Sequence, residues 1–366
     1  MNVTRSARTV CAMAVLMVLA SCTSSSDPAV APSEQQSQDP APNGQSSQDD
    51  DGLAAIAENL EAPWSLAFYE DAALISERDS GRILKLDASG DPQEAGVIEG
   101  VQAGGEGGLL GIAVQENYLY TYFTTSQDNR IERMPLEGDA GALALGSAEV
   151  ILDGIPSASY HNGGRITFGP DGMLYATAGD AGTTSNAQDR SSLAGKILRM
   201  TPDGEVPEDN PFENSLVYSY GHRNPQGIAW DDEGAMYASE FGQDSWDELN
   251  VIEPGGNYGW PEVEGIAGEN DYIDPVQQWE PAEASPSGIE IANGSIWIAS
   301  LRGTKLIEVP LDDLTDSREH LVGGYGRLRD VVLRPNDSLW ILTNNTDGRG
   351  NPESGDDRIL EFNPAS

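Results

Sequence analysis

The chain has 366 residues and a one-sided charge: 20 Lys and Arg stand against 60 Asp and Glu, a formal net charge of −40. Such a field repels polyphosphates, and no run of Lys or Arg interrupts it, which excludes nucleic acid as a partner. With 41 Gly, 22 Pro and three Lys, the composition fits a β protein with many tight turns, and neither a helical bundle nor a coiled coil.

Arg5 and Arg8 precede an apolar run over residues 10–20, the pattern of an export signal and too short to span a membrane as a mature helix. The run ends in Leu19, Ala20, Ser21 and Cys22, which is similar to the box of bacterial lipoproteins. That similarity implies a signal over residues 1–22, lipid on Cys22, and an exported protein held at the outer side of the cell membrane by its anchor alone. An ordinary signal with a chance cysteine is the alternative. Cys11 lies within the signal, so no thiol pair is left for a disulfide. Residues 23–52 are rich in Ser, Gln, Asp and Pro with almost nothing to bury, and read as a disordered tether. The folded part is then 53–366.

Within it a three-strand pattern recurs six times. First strands are expected at residues 65–68, 111–114, 165–168, 227–230, 288–291 and 330–333. Second strands start at 74, 119, 174, 236, 296 and 339, and third strands at 83, 131, 197, 249, 306 and 359. Turn chemistry such as Gly169, Pro170, Asp171 and Gly172 joins first to second strands as hairpins. Spacings of 43 to 62 residues between short antiparallel strands predict an all-β fold, a six-bladed β-propeller of four-stranded blades. The fourth strands are poorly marked, and residues 54–60 are a candidate to close the ring.

Chain reversals alternate between the two faces of such a blade. The loops leading into first strands and the loops between second and third strands therefore open on one face. The former bring Glu106, His161, Asn162, Arg223, Asn224, Gln226, Arg327 and Arg329. The latter bring Asp180, Gly242, Gln243, Arg302 and Asn344. Cations are scarce in this chain, yet four Arg and a His gather there, the footprint of an anionic ligand at the mouth of a central channel. Trp64, Trp230, Trp297 and Trp340 read as core, His222 as structural and His320 as solvated surface.

Several stretches resemble the soluble quinoprotein sugar dehydrogenases of the glucose/sorbosone dehydrogenase family. They are residues 107–111 (GGLLG), 161–175 (HNGGRITFGPDGMLY), 193–199 (LAGKILR), 220–227 (YGHRNPQG), 247–250 (DELN) and 256–261 (GNYGWP). The resemblance covers nearly all of 60–362 and is closer to the aldose sugar dehydrogenase branch. It implies pyrroloquinoline quinone (PQQ) held through calcium, and oxidation of the anomeric hydroxyl of an aldose sugar to a lactone, with electrons passed to an acceptor the sequence does not name. By the same resemblance His161 is the general base, and Arg223 and Asn224 contact quinone and substrate oxygen. Gly242 and Gln243 offer backbone carbonyls to calcium, and Arg327 and Arg329 pair with cofactor carboxylates. Glu106 and Arg302 complete the cofactor contacts. The family commonly has Gln at Glu106, Pro at Gln243 and Lys at Arg302. Glu106 is the departure with consequences, because a carboxylate there repels an anionic cofactor unless it is protonated or bridged by calcium. It leaves a second reading open, a cofactor-free ligand-binding propeller on the same scaffold.

Overall fold

Six antiparallel sheets, each led by one of the expected first strands, close into a ring in the computed structural model. It describes residues 53–364 apart from 88–89, 139–141 and 335. The expected signal, Cys22 and the tether up to residue 52 lie outside the described residues. The inner strands of the blades are Pro63–Tyr69, Leu109–Gln115, Ile166–Phe168, Pro225–Trp230, Pro286–Ala292 and Leu328–Leu333. Inner strands touch at every junction between successive blades except that of the third and fourth, which meet through Leu174–Ala178 and Pro225–Trp230. The sixth blade has Ala54–Ala57 as its outer strand, paired with Ile359–Phe362, so the two ends of the described chain close the propeller together.

The remaining outer strands are Pro92–Val97, Glu149–Ile155, Val217–Tyr220, Gln277–Trp279 and Arg318–His320. They escape an apolar reading because they pack on one side at most, as in the largely open segment Pro92–Val97. The inner three strands of each blade behave oppositely. Six apolar clusters fill the six gaps between neighbouring sheets, for example Leu74, Ile83, Leu109 and Phe123 between the first two blades. A sheet covered on both faces needs apolar residues at consecutive positions, and Ser295–Ser300 is buried throughout.

Polar groups tie the blades across the axis. Arg165 Nη1 donates to Asp330 Oδ2 at 2.8 Å and to Ser65 Oγ at 3.0 Å, joining the third, sixth and first blades. A Cβ on Gly288 would lie 1.9 Å from Asp330 Oδ1, so only glycine lets the fifth inner strand pass that carboxylate. His320 departs from expectation: its Nε2 lies 2.9 Å from Glu308 Oε2, and its ring packs against Trp297 and Phe362. Pairing of Arg318–His320 with Lys305–Pro310 fixes it there.

Below the Arg165–Asp330 pair the channel opens as a cavity of about 500 Å3 on the face of the first-to-second hairpins. Glu290 lines it, and burial, reinforced by Asp330, outweighs two backbone N–H donors and lifts its carboxyl to about 7. The unfolded chain ionises this group at lower pH, so the native state holds the extra proton, and the stability this gives is lost as pH rises through about 7. Glu290→Gln should therefore flatten the fall in stability between acidic and mildly alkaline pH, by about 1–2 kcal/mol given the partial access of water. Denaturant midpoints across pH check this, and parallel profiles for the two proteins would refute it.

Candidate active site

His161 lies on the loop entering the third blade, with its backbone in the left-handed region at φ 59°, rare for a residue with a side chain. That geometry sets its ring 2.7 Å, Nδ1 to Oδ1, from Asp180, which follows strand Leu174–Ala178 on the same face. Asp180 is fully buried. Burial alone would raise its carboxyl, but the His161 ring, Trp260 Nε1 and the Gly182 N–H together hold it below the ordinary value. An ionised carboxylate only accepts, so Nδ1 of His161 carries a hydrogen, and in the neutral ring Nε2 is then the acceptor. Tyr160, half exposed, stands edge-on to the imidazole with ring centroids 4.7 Å apart.

Arg223 and Asn224 enter from the loop before the fourth blade. Glu240, at the end of Met236–Glu240, accepts both of their backbone N–H groups. Its other oxygen takes Nδ1 of His222, which is buried, stacked on Tyr258 and bonded to Ser219. His222 is thus structural, and it fixes the carboxylate that shapes the Arg223 loop. The Arg223 guanidinium lies 5.4 Å from the Trp260 ring centre and donates to the Phe241 carbonyl. Burial lowers its pKa, while Asp180, Glu240, Glu264 and Glu106 pull the other way.

A second group of cations surrounds Trp64 at the axis. Arg165 and Arg329 lie over its ring at 4.4 and 5.6 Å. Arg327 Nη2 donates to Asp347 Oδ2 at 3.0 Å, and Arg329 lies 4.0 Å from the same oxygen. Arg78 Nη2 donates to the Asp347 carbonyl. Two residues apart on an extended entrance, Arg327 and Arg329 do share one side, as their spacing requires. They differ in freedom: Arg329 is buried and donates to Asn344, Gln226 and Ser287. Burial, opposed by Asp347 but reinforced by Arg327, Arg78 and Arg165, lowers its pKa to about 9.

Gly242 and Gln243 follow strand Met236–Glu240. Their N–H groups are held by Asp247 and Glu264, and their carbonyls accept no hydrogen bond among the described residues. Arg302 is exposed, without an ion pair among the described residues, and shares a cavity of about 580 Å3 with Gln243, Trp246 and Glu280. The structure thus sets Arg302 beside Gln243, and Arg327 and Arg329 in a separate network at the axis. Sequence reasoning assigned no part to Arg78, Arg165, Trp260, Asp347 or Arg349. Arg78 directly follows Ala72–Glu77, the same kind of loop that carries Asp180 and Asn344, and that was the available signal.

Four buried donors at this mouth and axis have no partner among the described residues: Arg165 Nη2, Arg223 Nε, Asn224 Nδ2 and Arg327 Nε. Buried donors cost free energy unless an acceptor meets them, so the site fits a ligand rich in carbonyl and carboxylate oxygens. The free Gly242 and Gln243 carbonyls fit a hard cation; among the described residues no three His, Cys, Asp or Glu gather into a metal-ligand set.

A closed propeller with a carboxylate-held imidazole and unfilled cationic donors at one mouth is a scaffold for moving a proton beside an anionic ligand. The glucose/sorbosone dehydrogenase family matches residues 60–351, and the chain belongs to it, as a sugar oxidoreductase. A PQQ-bound aldose sugar dehydrogenase from Streptomyces coelicolor is 52% identical, covers 84% of this chain and 96% of its own, and superposes with a TM-score of 0.81. Aldose sugar dehydrogenase YliI of Escherichia coli is 29% identical over 81% of this chain and 91% of its own. Quinoprotein glucose dehydrogenase B of Acinetobacter calcoaceticus is 32% identical over 59% of this chain and 54% of its own.

Proposed function

We propose that this protein binds pyrroloquinoline quinone together with calcium and oxidises the anomeric hydroxyl of aldose sugars to lactones, passing the electrons to an external acceptor. The observation that carries the reading is the set of four buried donors at the mouth and axis that have no partner among the described residues, beside a mouth that also holds His161. A relative 52% identical carries this quinone, which supports the same choice of ligand here. Arg327, Arg165 and Arg223 would hold its oxygens, with Asn224 beside them, and the Gly242 and Gln243 carbonyls would hold calcium.

When bound, the quinone supplies an acceptor for the anomeric hydrogen and its electron pair. His161 Nε2 takes the hydroxyl proton, and Asp180 keeps the ring in the needed tautomer and stabilises its charged form. Arg223 lies where it can meet negative charge developing on ligand oxygen, and its open Nε is the donor free to do so. The cofactor-free reading rested on Glu106, and that carboxylate is not isolated: Arg349 lies 3.3 Å from it.

The test is reconstitution. Apo-protein given PQQ and calcium should reduce a dye with at least one aldose, require both additions, and melt higher when loaded. Absence of both dye reduction across an aldose panel and quinone binding would overturn the reading. Export and lipid anchoring through Cys22 belong to the same proposal, since an anchored enzyme would meet sugars outside the cell; an unlipidated mature N-terminus by mass spectrometry would refute that part.

A further inference from the structure

The loop between the second and third strands of the sixth blade, residues 344–358, bonds both the axial cations and the loop entering the second blade. Its Asp347 binds Arg327 and accepts the backbone N–H of Arg349 at 2.8 Å, so the cation cluster fixes the start of the loop. From there Arg349 reaches Glu106, 243 residues away in sequence, on the loop entering the second blade: Nη1 to Oε1 is 3.3 Å. The other oxygen of Glu106 accepts the backbone N–H of His161 at 2.9 Å. The carboxylate is mostly covered, while Arg349 stays about half exposed. Glu106 also counts among the negative charges acting on Arg223.

We propose that Arg349 is a positioning residue that neutralises Glu106 and so lets an anionic ligand enter a mouth that would otherwise present it with a bare carboxylate. This rests on the quinone-binding reading above. In a chain of net charge −40 the anionic ligand already approaches against an adverse field. Arg349 removes the one adverse charge bonded to the backbone of His161, and its anchoring through Asp347 couples that service to the cations meeting the ligand. Its partial exposure limits the effect to a modest factor.

The measurement is quinone affinity of apo-protein with calcium, by titration at low and high salt. Arg349→Gln should weaken affinity about three- to tenfold at low salt and less at high salt. Arg349→Lys should recover most of the loss. Glu106→Gln combined with Arg349→Gln should restore binding, because the charge that needed neutralising is gone, whereas a merely structural loss would persist. Unaltered affinity in Arg349→Gln, or a double variant as weak as that single one, overturns the inference while leaving the quinone reading intact. A wild-type chain that binds no quinone overturns both.

Discussion

His161→Ala is expected to lower turnover of the quinone-loaded protein roughly 10²–10⁴-fold while leaving quinone affinity near that of the wild type. The separation of the two effects follows from the geometry. The imidazole is bonded to Asp180 and has Nε2 free, whereas the unpartnered cationic donors belong to Arg165, Arg223 and Arg327. Removing the ring therefore removes the proton acceptor and little of the anion site. Asp180→Asn gives the more discriminating companion. An amide can donate to Nδ1 and turn the imidazole to the tautomer whose Nε2 carries hydrogen, unable to take a proton. It should also lose much of its turnover, although the bond from Trp260 Nε1 can survive at the amide oxygen. Normal turnover in His161→Ala at full quinone occupancy would show that the ring only supports its loop.

The propeller was legible because of how its blades are buried. Each sheet is sandwiched between two others, so strands such as Ser295–Ser300 are apolar on both faces and stand out as short continuous runs. The outermost strands lack that double contact, and Arg318–His320 carries no apolar signal at all. The same single-sided packing misled the reading of His320, whose sequence neighbours are charged but whose ring meets Trp297 and Phe362. At the site, loop placement was enough to gather His161, Asp180, Arg223, Arg327 and Arg329 on one face. Strand order could not reveal which side chains meet there. Glu106 looked like an isolated hazard because its neutralising partner lies in a long polar loop of the sixth blade, a pairing across 243 residues that no local pattern encodes. Trp260 stood within a recognisable motif, but its double contact with Asp180 and Arg223 is a fact of three dimensions.

Arg327→Ala is expected to weaken quinone affinity roughly tenfold or more, about the loss of one charge-assisted hydrogen bond, with native circular dichroism. Arg327 is the better probe of the pair because, among the described residues, its buried Nε has no partner and its guanidinium's one hydrogen bond is to Asp347. Arg329 answers a different question. Its donors already serve Asn344, Gln226 and Ser287, so Arg329→Ala leaves those buried acceptors short and opens space beside Trp64. That variant should lose stability by about 1–3 kcal/mol as well as affinity. The cluster also explains why a ligand anion would steady this fold: four guanidiniums, those of Arg78, Arg165, Arg327 and Arg329, share the axis with three carboxylates bonded to them, Asp79 on Arg78, Asp330 on Arg165 and Asp347 on Arg327. Like charges held together without full compensation favour whatever brings negative charge to them. The penalty of Arg327→Ala should accordingly shrink as salt rises, and the double variant Arg327→Ala with Arg329→Ala should lose more than either single change at low salt. Unaltered affinity in Arg327→Ala and in the double variant would mean that these cations hold only the channel wall, and that the anionic ligand binds elsewhere.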